Sequence, residues 1–371
     1  MFDKSEEWLI LHGLTQTPRL GRPAVIQRGF GLEWKMFLPA ATEGNEMMNS
    51  MHGLRAIAAM CVAAWALAAC GPGGPRVDQP DTTPPTGNSG QNGTGNDVAA
   101  PTLTNNVATD GLNWINYRRA QVAMPALARN ATIDIAAQSH SEYQRTNNVV
   151  THDQTAGLPG FTGVRLQDRL QAAGYVVNGN ASNAIGEVIS ATQGGSGFTM
   201  AEELITAIYH RFVIFEPVFQ EAGGGAASTS GGYNYFTADF VTNNGYGPGL
   251  AAGTLATWPF DGQTQVPPNF FSDYEEPDPV PDQNEVGYPV SVHTNLNRKL
   301  TVQSFTIHAH GASGNLQTRL LVQGQDANTT TTAAAAIVPL APLAAGTTYD
   351  VAFSGAIDGT AISRSWSFTT K

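Results

Sequence analysis

The stretch EAGGGAASTSGGYNYFTADFV, residues 221–241, decides the fold prediction because it contains two neighbouring strand patterns. Residues 221–228 form the first, and Gly231 and Gly232 supply a turn before the second. The second pattern alternates between two faces, with Tyr233, Tyr235, Thr237 and Asp239 on one and Phe236, Ala238 and Phe240 on the other. The sequence therefore predicts an antiparallel strand pair that closes the domain.

Four helical patterns precede these strands. The first surrounds residues 111–123, and the second, residues 131–148, places His140 on an apolar face, where a buried structural histidine is the simpler interpretation. The third, residues 165–173, ends at Gly174 and is followed by a short strand pattern at 175–177. The fourth runs over residues 198–212, and the spacing of Thr199 and Glu202 predicts a capping box at its start. Helices followed by an antiparallel pair predict a helix-on-sheet sandwich.

The composition is that of a folded protein with an acidic surface. The chain has 371 residues, of which 42% are hydrophobic and 13% charged, so it can bury the cores of two domains. Its net charge is −11, and Lys and Arg form no cluster. Because nucleic acids are bound through clustered basic side chains, these features argue against a nucleic-acid partner.

Both cysteines lie in MHGLRAIAAMCVAAWALAACGPGG, residues 51–74. Arg55 places a positive charge before the apolar run of residues 56–67, which is too short for a transmembrane helix. The run ends in Leu67-Ala68-Ala69-Cys70, which resembles a bacterial lipobox. The resemblance implies that Cys70 is acylated and anchors the protein to a membrane. Gly71 stands where some lipoproteins have an inner-membrane retention aspartate, so outer-membrane or surface delivery in a bacterial cell envelope is expected. A plain signal peptide or a buried alanine-rich helix are the alternatives.

Changes in composition divide the chain into segments. The acidic segment before the last domain contains enough carboxylates for calcium, but it has no spaced calcium-binding loop, so an extended strap is the better interpretation. The final segment alternates like strands and resembles bacterial Ig-like β-sandwich modules. The predicted segments are an unassigned leader or mis-called start (1–50), a lipoprotein signal peptide (51–70), a disordered Gly/Pro/Asn/Thr linker (71–100), a mixed helix and strand domain (101–250), an acidic Pro-rich strap (251–287) and an all-β domain (288–371).

Seven segments of the mixed domain occur in an order that resembles the CAP superfamily of cysteine-rich secretory proteins, antigen-five allergens and pathogenesis-related proteins. The segments are LNWINYRRAQVAMPAL, AAQSHSEY, VTHD, RLQDRLQAAGY, IGEVIS, IYHRFVIFEPVFQEAGGG and GGYNYFTADF, which together span about residues 106–245. The resemblance implies an α-β-α sandwich with a solvent-facing cleft in which two histidines and one glutamate converge. Carried over to this sequence, these residues are His152, Glu187 and His210.

Two imidazoles and one carboxylate suit a divalent cation such as zinc, and a coordination position left to water would permit Lewis-acid chemistry. Two functions from different classes are compatible with this set. The first is a binding module whose cleft holds a divalent metal and an extracellular lipid, peptide or glycan. The alternative is a metal-dependent hydrolase with zinc-bound water as nucleophile and Glu187 as general base. For His152 the competing interpretation is an exposed loop histidine.

The sequence also departs from the family pattern. A further glutamate of many members falls here near Leu204 and Ala207, which cannot coordinate a metal or abstract a proton, and Glu203 could at most line the cleft rim. This loss favours the binding module. Tyr209 is expected at the cleft edge, and Arg211 could hold an anionic ligand or bond the last helix carbonyls and Glu216.

His308 and His310 lie two residues apart on one strand face, a spacing that could serve a metal. No third ligand is evident from the sequence. A solvated strand face is the simpler interpretation of the pair.

Overall fold

The structure is a computed structural model that describes residues 31–37 and 98–371. Cys70, the predicted signal peptide and nearly all of the predicted linker lie outside the described residues, so lipidation stays a prediction. Within the described ranges, no helix has the length and apolar character needed to cross a bilayer.

The described part of the chain folds into a mixed region followed by an all-β region. Its helices are α1 (Val107–Gln121), α2 (Ala131–Asn147), α3 (Leu166–Ala172), α4 (Gly197–Thr206) and α5 (Ile208–Ile214). Its strands are β1 (Gly31–Phe37), β2 (Ala128–Arg129), β3 (Ala184–Gln193), β4 (Glu221–Ser228), β5 (Tyr233–Thr242), β6 (Ala256–Trp258), β7 (Gln263–Val266), β8 (Asn269–Phe271), β9 (Glu275–Glu276), β10 (Glu285–Gly287), β11 (Val290–His293), β12 (Leu300–Ala309), β13 (Thr318–Leu321), β14 (Ala334–Pro339), β15 (Thr348–Ile357) and β16 (Thr360–Thr370).

The mixed region is built on a six-stranded sheet of order β2-β4-β5-β3-β1-β9. Strand β5 pairs antiparallel with β4 on one side and with β3 on the other, which confirms the predicted closing strand pair. The glycines of β4 allow helices to pack closely against both faces of the sheet. A Cβ on Gly223 or Gly225 would overlap α2, and one on Gly224 would crowd Leu112 of α1. The α-β-α sandwich predicted from the sequence is therefore confirmed.

Short polar side chains begin three of the helices. Asn106, Asn130 and Ser196 each accept a hydrogen bond from a backbone N–H in the first turn of α1, α2 and α4, respectively. The predicted capping box of Thr199 and Glu202 is wrong, because α4 begins before Thr199 at Gly197 and Ser196 is its cap. Glu202 instead accepts hydrogen bonds from the side chains of Trp114 and Arg118, at 2.7 and 2.8 Å, and so joins α4 to α1.

Two local predictions in this region need correction. The fourth helical pattern was expected to form one helix, but the chain is extended at Ala207 (φ −65°, ψ 121°), so α4 ends there and α5 starts a new amino terminus. Residues 175–177, predicted as a strand, pair with no strand in the described structure. Gly174 has φ +90°, as expected for the residue that ends α3.

The carboxy-terminal region contains two four-stranded sheets, β13-β14-β11-β6 and β12-β15-β16-β7, and the short antiparallel pair β8-β10. Their apolar faces contribute large side chains such as Trp258, Phe305 and Trp366 to the core. Strands β6 and β7 come from the predicted acidic strap, which is therefore not simply an extended linker. Its apolar residues Ala256, Trp258 and Val266 are buried, and this burial explains why it joins the sheets.

The two regions share one continuous hydrophobic core. The ring of Phe215, at the end of α5, lies 5.2 Å from Trp258 and 5.4 Å from His293, centroid to centroid. The buried carboxyl of Glu216 accepts hydrogen bonds from the backbone of Val218 and of Leu296. Because apolar and polar contacts both cross the boundary, the regions pack as one unit in this structure.

Candidate buried His-Glu site

Glu187 is the centre of a buried charged cluster. Strand β3 carries it into the interior, where the carboxylate lies 2.6 Å from Nη2 of Arg169 on α3 and 2.7 Å from Nδ1 of His152. All three side chains are at most 2% exposed. Burial alone would raise the pKa of Glu187, but the charge of Arg169 and the contacts with His140 and His152 bring it well below its usual range. Glu187 is therefore ionised and already engaged at both oxygens.

His140 supports this cluster from helix α2. Its Nε2 lies 2.8 Å from the carbonyl oxygen of Thr151, and its Nδ1 lies 3.0 Å from Nε2 of Gln154, so the neutral ring with Nε2–H satisfies both contacts. Burial lowers the pKa of His140 to about 4, against the attraction of Glu187. The interpretation of His140 as a buried structural histidine is confirmed, and its contact with Thr151 orients the segment before His152.

Asp239 is a second buried carboxyl group beside Glu187, which it faces in the register of β5 with β3. Burial and the negative charge of Glu187 raise the pKa of Asp239 well above its usual range. The two opposite shifts favour the neutral form of Asp239 and the charged form of Glu187. Asp239 was not among the predicted site residues, although a carboxyl in a strand whose neighbours are Ala238 and Phe240 was a signal of a buried polar network.

His210 has a different carboxylate partner. Its Nδ1 lies 3.0 Å from Oε1 of Glu275, a residue of the predicted acidic strap. The same carboxylate accepts the backbone N–H groups of Ile208 and Tyr209, both at 2.7 Å. Glu275 thus acts as the cap of α5, where the break at Ala207 leaves free backbone donors. This pairing was not predictable from the sequence, because Glu275 was one of several acidic residues with no feature that distinguished it.

Tyr209 and Arg211 do not line an open cleft, contrary to the prediction, since both are fully buried. The Tyr209 hydroxyl donates to Oδ2 of Asp326 at 2.8 Å. Arg211 donates to the carbonyls of Ile205 and Thr206, the last residues of α4, and also to the carbonyl of Pro289. Arg211 thus bonds helix carbonyls, but those at the end of α4 rather than of its own helix α5, and its side-chain hydrogen bonds do not include Glu216.

The structure does not assemble the predicted metal set of His152, Glu187 and His210 into one group of ligands. Glu187 binds the cationic Arg169 as well as His152, and His210 is bound to Glu275. Throughout residues 31–37 and 98–371, no three His, Cys, Asp or Glu side chains are arranged to hold a metal. The structure therefore brings His152 and Glu187 into contact, whereas His210 contacts Glu275 instead.

Three further acidic or histidine residues of the sequence analysis lie apart from this cluster. Glu203 is mostly buried on α4, and burial raises its pKa to about 7. His310 lies 2.8 Å from Oδ2 of Asp350 on the neighbouring strand, while His308 lies 3.8 Å from the same oxygen. These two histidines occupy a partly exposed sheet face, in agreement with the prediction of a solvated strand face.

Comparisons with known proteins identify the mixed region. The family described as CAP, Cysteine-rich secretory protein family, matches residues 112–240, and these residues form a CAP domain. An extracellular protein with an SCP domain from Bacillus anthracis is 23% identical, with a TM-score of 0.31, and the match covers 38% of this chain and 41% of that one. An outer surface protein from Borrelia burgdorferi is 14% identical, with a TM-score of 0.30, and the match covers 36% of this chain and 89% of that one. A comparison with curated proteins found no match.

Proposed function

We propose that this protein, whose residues 112–240 carry the CAP domain, is an extracellular binding protein tethered to a bacterial cell envelope by lipid on Cys70. Its ligand is a lipid, peptide or glycan, and the CAP domain and the β-region bind it as one rigid unit. Support for the tether comes from the lipobox-like Leu67–Cys70 and from the Gly- and Pro-rich segment after it, which is too polar to form a core.

One observation carries the choice of binding over hydrolysis. Both oxygens of Glu187 are engaged, one by Arg169 and one by His152, and the carboxylate is fully buried. A general base must reach a water or a substrate proton, and a carboxylate held by a guanidinium is a poor proton acceptor. This arrangement supports a structural role for Glu187 in a scaffold for binding.

The second histidine has a structural role. Glu275 satisfies Nδ1 of His210 and the amino terminus of α5 together, so His210 serves the contact between the CAP domain and the strap. The contact leaves Nε2 of His210 without a hydrogen-bond partner among the described residues. The proposed binding function rests on the engagement of Glu187 by Arg169 and requires no metal held by His152, Glu187 and His210.

Metal content and turnover of the purified full chain test this proposal. After incubation with zinc and gel filtration, we expect less than stoichiometric zinc by plasma mass spectrometry, and no turnover on panels of peptides, esters and glycans. Glu187→Gln serves as the comparison in each assay. Stoichiometric zinc that is lost in His152→Ala, together with turnover by the unmodified chain, would reject the proposal and restore the hydrolase.

The tether is tested separately in a bacterial host supplied with a radiolabelled fatty acid. We expect the label in the membrane fraction of the native chain and its loss in Cys70→Ser. Cys61→Ser is the matched control, because it removes the other cysteine of the same apolar segment and should leave labelling unchanged. Equal labelling of all three proteins, or none in the native chain, contradicts the lipobox.

A further inference from the structure

A slot one strand wide lies between the CAP sheet and the strap. Strand β3 pairs with β5 along one edge, and along its other edge it pairs antiparallel with β1 from Ile185 to Ala191. On its other side, β1 pairs in parallel with β9, where Leu32 lies opposite Glu275 and Glu33 lies opposite Glu276. The backbone edges of β3 and β9 thus face each other across a single strand, Gly31–Phe37.

The two walls of this slot are held in place without the strand that fills it. Glu275 of β9 is bonded to the backbone of Ile208 and Tyr209, and α5 packs directly on β3. The CAP domain and the β-region also share one core. Removal of the filling strand would therefore leave two backbone edges at the spacing that a strand requires, about 4.8 Å from each edge.

An empty slot of this kind carries unsatisfied hydrogen-bonding groups. The edge of β3 alone presents backbone groups over seven paired positions, Ile185–Ala191, in a strand whose side chains are almost all buried. Two buried polar atoms on elements that flank the slot, Ser190 Oγ and His210 Nε2, have no hydrogen-bond partner among the described residues. Buried donors and acceptors are costly when unpaired, so the slot favours an occupant that offers a regular backbone.

We infer that the slot between β3 and β9 is a binding site for an extended polypeptide segment. Gly31–Phe37 precedes Cys70 in the chain, so processing at the predicted lipobox would remove this strand and open the slot to a strand from another polypeptide. A peptide binds there by strand addition, antiparallel to β3 and parallel to β9. This inference rests on the proposed binding function and specifies its ligand class as peptide.

Release of the strand from the folded full chain tests the inference. A protease site inserted between residues 38 and 69 allows the folded protein to be cut so that the piece containing Gly31–Phe37 is no longer covalently attached. We expect the piece to remain bound in native mass spectrometry and to be displaced by the peptide GLEWKMF, the sequence of residues 31–37. The control peptide GLEPKPF, with proline for Trp34 and Met36, should displace it about tenfold less well, because each proline removes a backbone donor.

A second measurement covers the case in which cutting disturbs the fold. The full-length double variant Trp34→Pro/Met36→Pro should leave the slot without its strand, and we expect it to bind fluorescent GLEWKMF saturably while the native chain does not. The inference is overturned if the cut piece dissociates and does not rebind, or if native and variant chains bind the peptide equally. Neither outcome affects the metal and turnover assays, so a failure of the peptide site is distinguishable from a failure of the binding function.

Discussion

His140 should make the stability of this fold depend strongly on pH between 6.5 and 4. The pKa of this buried imidazole falls from an ordinary 6.5 to about 4 in the folded protein. In that interval the unfolded chain binds a proton on His140 that the native chain does not, so stability is full above 6.5 and is lost as pH falls through about 4. A shift of about 2.5 pKa units at 1.36 kcal/mol per unit corresponds to about 3 kcal/mol of unfolding free energy.

The structural reason is the hydrogen bonding of both ring nitrogens. Nε2–H donates to the Thr151 carbonyl, and Nδ1 accepts from the Gln154 amide. A proton on Nδ1 would face the amide donor of Gln154 and, in the interior, would have Arg169 among its neighbours. Glu187, whose Oε2 lies 4.0 Å from Nε2, and the carbonyl of Thr151 oppose this destabilisation.

Urea denaturation of the native chain and His140→Gln, at a series of pH values from 7 to 4, measures the effect. Between pH 7 and pH 4, we expect the unfolding free energy of the native chain to fall by about 3 kcal/mol more than that of the variant. This expectation holds whatever the difference in stability between the two proteins at pH 7. His310→Gln is the matched control, since its side chain is 71% exposed and the same chemical change should leave the native pH dependence in place. If native and His140→Gln proteins lose stability in parallel, the reasoning about the buried neutral imidazole is wrong.

Three further substitutions test the cluster, the sheet and the boundary between the two regions. Arg169→Met should cost about 3–5 kcal/mol in urea denaturation, because Glu187 would stay buried without its guanidinium partner, and adding Glu187→Gln should recover part of the loss. Gly225→Ala should destabilise the fold by about 1–3 kcal/mol, since the added methyl group would overlap α2. Gly231→Ala, in the open turn, is the control and should be nearly neutral. Equal melting temperatures of these two variants would contradict the close packing of β4 against α2. Burial raises the pKa of Glu216 from 4.5 to about 8, so its contribution to stability is present below pH 4.5 and is lost as pH rises through 8. Calorimetry at pH 5 and pH 9 should show that Glu216→Gln loses less stability between these two values than the native chain does. An equal loss of stability in the two proteins would exclude the raised pKa.

The local features of the CAP domain were predictable because they depend on residues that are close in sequence. The alternation of residues 233–241, the apolar face of residues 131–147 and the position of Gly174 each follow from side chains within one element. The break at Ala207 was not predictable in this way. Its extended conformation leaves new backbone donors on α5, and these are satisfied by Glu275, a residue far along the chain.

The sequence by itself determined the antiparallel strand pair of residues 221–241, the apolar face of α2 that buries His140 and the acidic composition. Tertiary structure alone decided that Glu187 meets Arg169 and His152, while His210 meets Glu275, 65 residues away. The physical reason is that strand and helix periodicity depends on neighbouring residues, whereas the partner of a buried charge depends on sheet register and on which distant segment covers it. Through these long-range contacts, His152 and His210 each meet a different buried carboxylate.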